Sequence, residues 1–234
     1  MSDRFAEAPR PSYRLIPSQF PPIGLFDTVA RAADLEAVME LVGWTNDRLV
    51  ADRIRRLPEN EWVYGSANAS IVMAAFLHVA PGGMRFNGPD LGAWYAADNL
   101  KTAAAEVGHH LRREAVARGV ATMARTYRSY AATLIGDYLD IRGEQALRPD
   151  IYDGTSYAAS QLLGEAVRLS GGAGILYDSV RLRGGVNVAA HRPRNIRDVV
   201  QADHFEITVF AADRRIDVRK LSTRRRPPKG RLNR

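Results

Sequence analysis

Two opposed periodicities constrain this chain more than any other feature. Over residues 99–118, Leu100, Ala104, Val107, Leu111 and Ala115 recur at helical spacing. In "HFEITVFAA", residues 204–212, Phe205, Ile207, Val209 and Ala211 alternate as on a half-buried strand. A helix with one apolar stripe and a strand with one apolar face must cover each other. Helical patterns also run through 28–57 (Ala33, Ala37, Val38, Leu41 and Val42, with Asp34 in the first turn) and through 66–80, ended by Pro81-Gly82-Gly83. A further helix is predicted in "GTSYAASQLLGEAVRLSGG", capped by Thr155 or Ser156, packed through Leu162, Leu163 and Val167, and stopped by Gly171-Gly172. Strands are predicted at "SYRLIP", twice within 84–97 around "NGPDLG", at 122–134, at "GILYDSVRL" and at "GGVNVAAHRP". Helices and strands mix without a regular βαβ rhythm, so the expected class is α+β.

With 234 residues, 46% hydrophobic and 25% charged, the chain can bury a substantial core. It has no cysteine, which removes disulfides and thiolate chemistry and fits a reducing cytoplasm. The N-terminus lacks an apolar h-region, so no secretory leader is expected, and the longest apolar run, Ile71 to Ala80, is too short to span a bilayer. The net charge of +7 is local: residues 219–234 hold eight Lys/Arg and no acid, and removing those eight leaves −1 for the rest. A disordered N-terminus (1–12), one domain (13–218) and a disordered basic tail (219–234) are expected. Nucleic acid is expected to contact at most the tail, and weakly.

Several chemistries drop out. The glycines at 171–174 follow a helix and precede a strand, the reverse of a dinucleotide-binding turn. Neither a P-loop nor a G-x-S-x-G elbow is present. His109 and His110 are adjacent and diverge by about 100° on a helix, so they do not form a metal pair. His110 and Glu114 share a face but read as solvated surface. No metal is predicted. What remains is a set of polar residues on apolar segments: Arg14, Arg85, Tyr95, Glu106, Ser179 and Asn187. Ionised groups there are costly unless paired or used. Three readings stay open: a polar site, an Arg85–Glu106 ion pair, or a Glu106 that is merely wet.

The order Y-R-L (Tyr13-Arg14-Leu15), R-F-N from Arg85, Y-A-A from Tyr95, then T-A-x-x-E ending at Glu106, "SVR" and "GGVNVAAHRP" resembles the RES-domain family from about Tyr13 to about Ala212. The resemblance implies an ADP-ribosyltransferase-like mixed sheet with flanking helices. Residues 18–80 form a helical insert that short family members lack. It further implies the toxin of a bacterial toxin–antitoxin pair with an Xre-like antitoxin partner. Such a toxin degrades NAD, as substrate and not as cofactor, with water or inorganic phosphate as acceptor. A homo-oligomer is also expected. Alternatives are ADP-ribosyl transfer to a macromolecule, or a non-catalytic interaction protein on the same scaffold.

Carried over, the resemblance makes Glu106, Arg85 and Ser179 the catalytic set. Tyr13, Arg14, Arg85, Tyr95, Ser179 and Asn187 become the ligand-binding set. The chemistry suits these residue types. Nicotinamide leaves as a neutral base, the ribose becomes oxocarbenium-like, and a carboxylate such as Glu106 stabilises that charge. Guanidinium groups of Arg85 and Arg14 suit the pyrophosphate. Tyr95 can stack on the nicotinamide. Ser179 and Asn187 offer neutral hydrogen bonds, and Ser179 need not be a nucleophile.

Overall fold

The computed structural model describes residues 3–20, 24, 26–31, 34 and 52–222. Among them, nine strands form one sheet: β1 (Phe5–Glu7), β2 (Ser12–Pro17), β3 (Trp94–Ala97), β4 (Thr122–Leu134), β5 (Asp137–Asp140), β6 (Gly174–Asp178), β7 (Val186–Ala190), β8 (Ile196–Phe210) and β9 (Ile216–Leu221). Their order across the sheet is β1-β5-β6-β7-β3-β2-β4-β8-β9, and all pairs are antiparallel except β5–β6. Three helices flank it: α1 (Ala69–Leu77), α2 (Leu100–Ala117) and α3 (Ala158–Leu169). This is the mixed α+β architecture expected. No described helix is long and apolar enough to cross a membrane.

Each helix shows why it sits where it does. α1 is apolar all round and therefore buried, with Met73 and Phe76 fully enclosed. Its first N–H groups, from Asn68 and Ser70, are satisfied by the Asp27 carboxylate at 3.1 and 2.8 Å. α2 starts at Asn99, whose side chain accepts from Thr102 N at 2.8 Å. Its stripe of Ala104, Leu111 and Ala115 is buried against β2, β4 and β8 together with Ile207 and Val209. α3 buries small residues, Ser160 and Gly164, towards the molecule.

Several expectations need correction. Residues 3–12 are ordered: β1 pairs with β5, and Arg4 bridges the nearly buried Asp140 at 3.1 Å. Main-chain pairing, invisible to composition, holds this segment. The basic stretch begins inside β9, where Arg219 pairs with Glu206 and Lys220 with Asp203, so the sheet extends past 218; residues 223–234 lie outside the described ones. The predicted helix at 28–57 also falls largely outside them. Only the second strand predicted in 84–97 forms; the first half is a tight turn closed by Met84 and Asn87. Leu162 does not pack: it is 76% exposed, because α3 turns its small residues inward instead. Tyr157, not Thr155 or Ser156, is the residue that caps α3, and both backbone N–H groups of Thr155 and Ser156 bond Asp153; Ser156 Oγ still accepts from Ala158 N, the first of α3, at 3.4 Å.

Candidate active site

One rung of the sheet builds the floor of a cavity. Tyr177 of β6 lies opposite Asn187 of β7, Asn187 opposite Ala97 of β3, and Ala97 opposite Tyr13 of β2. Directly opposed residues project to one face, as does Tyr95, two positions from Ala97. All five line a cavity of about 280 Å³, near the lower end of ligand pockets, which run from about 300 to 1,000 Å³. Arg14, Arg85, Glu106, His110, Tyr157 and Arg181 line it too.

Glu106 projects from α2 into this space. Its Oε1 accepts from Ser179 Oγ at 2.6 Å and from Asn187 Nδ2 at 2.7 Å. Among the described residues no cation pairs with it and nothing bonds Oε2. The ion-pair reading of Arg85 and Glu106 is therefore excluded. Ser179 opens the turn that follows β6. Its hydroxyl gives its proton to Glu106 and accepts from the backbone N–H groups of Arg181 (3.1 Å) and Leu182 (3.0 Å). That hydroxyl is fully engaged, as an orienting group and not as a poised nucleophile.

Arg85 sits at the apex of the Met84–Asn87 turn. It is 6% exposed, and its Nη1 donates to the Ile151 and Asp153 carbonyls at 3.0 and 2.8 Å. Its guanidinium lies 4.8 Å from the Tyr157 ring centroid. Tyr95 holds the turn in place: its hydroxyl donates to Asn87 Oδ1 (2.8 Å) and accepts from Phe86 N (2.9 Å). Burial, its largest influence, keeps that phenol un-ionised by raising its pKa. From outside, α3 clamps the same loop. Gln161 donates to Gly82 and Met84 carbonyls, and Glu165 accepts from Gly88 N. A Cβ on Gly164 would meet the Phe86 carbonyl oxygen at 2.1 Å, so only glycine lets helix and turn approach this closely.

Arg14 reaches the cavity from β2, donating to the Tyr95 carbonyl at 3.0 Å and lying 4.9 Å from the Trp94 ring centroid. Burial lowers its pKa to about 10, with Tyr95 opposing, so it remains a cation at neutral pH. Arg181 anchors one Nη2 on the Gly154 carbonyl at 3.1 Å. Arg14, Arg85 and Arg181 have no carboxylate partner among the described residues. Three guanidiniums thus surround one carboxylate, a balance suited to an anionic ligand.

The structure brings Tyr13, Arg14, Arg85, Tyr95, Glu106 and Asn187 onto one cavity, with Ser179 one bond behind Glu106. Sequence reasoning missed Tyr157, Tyr177, Arg181 and His110. Arg181 had a signal, since it lies two residues after Ser179 within "SVR". So did His110, four residues after Glu106 and hence on its helical face. No cluster of metal-binding side chains occurs among the described residues.

A family model described as the RES domain matches residues 53–209, well over half of the chain. Among solved structures, the crystal structure of the M. tuberculosis MbcT–MbcA toxin–antitoxin complex is similar, with 17% identity and a TM-score of 0.45 over 85% of this chain and 86% of that chain. No curated protein matches.

Proposed function

We propose that this chain, which belongs to the RES domain family, cleaves the nicotinamide–ribose bond of NAD and acts as the toxin of a toxin–antitoxin pair. One observation carries the enzymatic part. Among the described residues Glu106 has no cationic partner, its Oε1 accepts from two neutral donors, its Oε2 has no hydrogen-bond partner, and it lines a cavity with three guanidinium groups that have no carboxylate partner.

In this reading the C1′–N bond breaks and its electron pair goes to the nicotinamide nitrogen, which leaves neutral and needs no acid. The open oxygen of Glu106 faces the positive charge that develops on the ribose. Its two donors hold it in place beforehand, so little reorganisation is required as charge develops. Arg85, Arg14 and Arg181 hold the pyrophosphate. The aromatic wall of Tyr13, Tyr157 and Tyr177 supplies flat surface for the base. Ser179 and Asn187 act through Glu106 as positioning residues. The antitoxin partner rests on the family resemblance; co-expression with a neighbouring small helix-turn-helix gene tests it by asking whether growth inhibition is relieved.

The enzymatic test is incubation of purified protein with NAD, with and without phosphate. Time-dependent loss of NAD is expected. Stable NAD under both conditions, with micromolar protein, overturns the reading. Labelled ADP-ribose on a protein or nucleic acid redirects it to macromolecular transfer.

A further inference from the structure

The reaction above leaves one proton without a destination. Nicotinamide departs without taking one, so a neutral acceptor must lose its proton elsewhere as its oxygen bonds C1′. Glu106 serves that purpose poorly, because a protonated Glu106 loses the charge that faces the ribose. One turn further along α2, about 6 Å by helix geometry, His110 lines the same cavity. No described residue forms a hydrogen bond with its ring. Its ring centroid lies 5.6 Å from that of His109.

We propose that His110 is the general base that takes the proton from a neutral hydroxylic acceptor, water above all, as that oxygen attacks the anomeric carbon. The inference rests on the NAD-cleaving reading. The step balances: the acceptor O–C1′ bond forms, the C1′–N bond breaks with its pair on nicotinamide, and the proton passes to the imidazole and then to solvent. The surroundings keep the imidazole neutral and able to accept. The ring is solvent-exposed while lining the cavity; the desolvation it feels there lowers its pKa most, and Glu106 opposes this from the same helix. Arg181 from the turn after β6, Arg113 from α2 and Arg85 from the loop before β3 lower it further. Phosphate dianion needs no base, so His110 marks a site built for water or an alcohol.

The experiment compares wild type with His110→Gln and His110→Ala, using NAD without and with phosphate between pH 5 and 9. Melting curves check that each variant is folded. In His110→Gln, phosphate-independent kcat is expected to fall about 100-fold, the scale of general-base catalysis, with KM within about twofold. The fall in wild-type kcat on acidification should vanish with it. Azide, an anionic nucleophile needing no base, should restore turnover in His110→Ala and yield an azide adduct. The proposal is overturned if a folded His110→Gln keeps the wild-type rate and acid limb, or if turnover depends strictly on phosphate and ignores His110. A wild type that consumes no NAD removes both this proposal and the reading beneath it. An active wild type with an indifferent His110→Gln removes this one alone.

Discussion

The two ends of the cavity are built differently. At the Arg85 end, one short turn is held from many directions: by Tyr95, by Gln161 and Glu165 of α3, by the bare backbone of Gly164, and by two carbonyls and a ring around the guanidinium itself. At the Glu106 end, one serine hydroxyl does three jobs, fixing the carboxylate and two N–H groups of the turn that carries Arg181. Redundant support suits a group that must stay put while holding a ligand. A single hub suits a group whose exact orientation sets the rate. Loss of one contact should therefore be tolerated at the first end and costly at the second.

The sharpest way to break this contrast is Ser179→Ala. It removes one of the two donors to Glu106 Oε1, leaving only Asn187, and unpairs two N–H groups, so kcat for NAD should fall about 100-fold, comparable to the loss of one preorganised donor. Because Ser179 acts through Glu106, kcat should suffer more than KM, and Ser179→Thr should recover part of the rate. An unchanged kcat would remove the hub. At the other end, Gly164→Ala forces α3 off the turn. Thermal denaturation should show a loss of about 1–3 kcal/mol, the usual cost of overpacking, with KM raised more than kcat lowered. Tyr95→Phe is milder: it leaves Asn87 Oδ1 and Phe86 N without this partner but retains the ring. A stability loss of about 1–2 kcal/mol and a severalfold rise in KM are expected, with kcat within about threefold. A kcat collapse on that change would place Tyr95 in the chemistry and not in the scaffold.

The smallest effect comes from behind the Arg85 turn. His191 is 1% exposed and its Nε2 donates to the Phe86 carbonyl at 3.1 Å, which makes Nε2 the protonated nitrogen of a neutral ring. Burial, reinforced by Arg168, lowers its pKa to about 3. The unfolded chain takes up this proton near pH 6.5 and the folded chain does not until about pH 3, so stability falls as pH drops through that window. Between pH 7 and 5.5 the loss from this residue should be about 1 kcal/mol, and His191→Asn should flatten that part of the denaturation profile.

Legibility in the sequence follows the same division. α2 and the second half of β8 were readable because each carries a regular stripe, such as Leu111 with Ala115 or Ile207 with Val209, and β4 because its Thr, Tyr and Met residues show little helical period. β5 ("DYLD") and β9 ("IDVRKL") were not, because their charged residues pair with Arg4, Arg142 and Glu206 and hide the strand period. The sheet order, with β2 inserted between β3 and β4, has no local signature at all. At the site, Glu106 stood out as the acid that closes the alanine run Ala103–Ala105. The carbonyls around Arg85 come from residues 66 and 68 positions away, which no pattern announces. His110 is exposed, as its position suggested; that it also lines the cavity follows only once the turn after β6 lies beside α2.

The central claim is that Glu106 drives cleavage of the nicotinamide–ribose bond. The most direct measurement is product analysis by mass spectrometry after incubation of NAD with wild type and with Glu106→Gln, which keeps the size and the donor contacts of the side chain. The account predicts free nicotinamide and an ADP-ribosyl product from wild type, and at least a 1,000-fold lower rate, on the order of 4 kcal/mol of barrier, from a variant that melts normally. Products cut at the pyrophosphate, or a folded Glu106→Gln that releases nicotinamide at the wild-type rate, would contradict it.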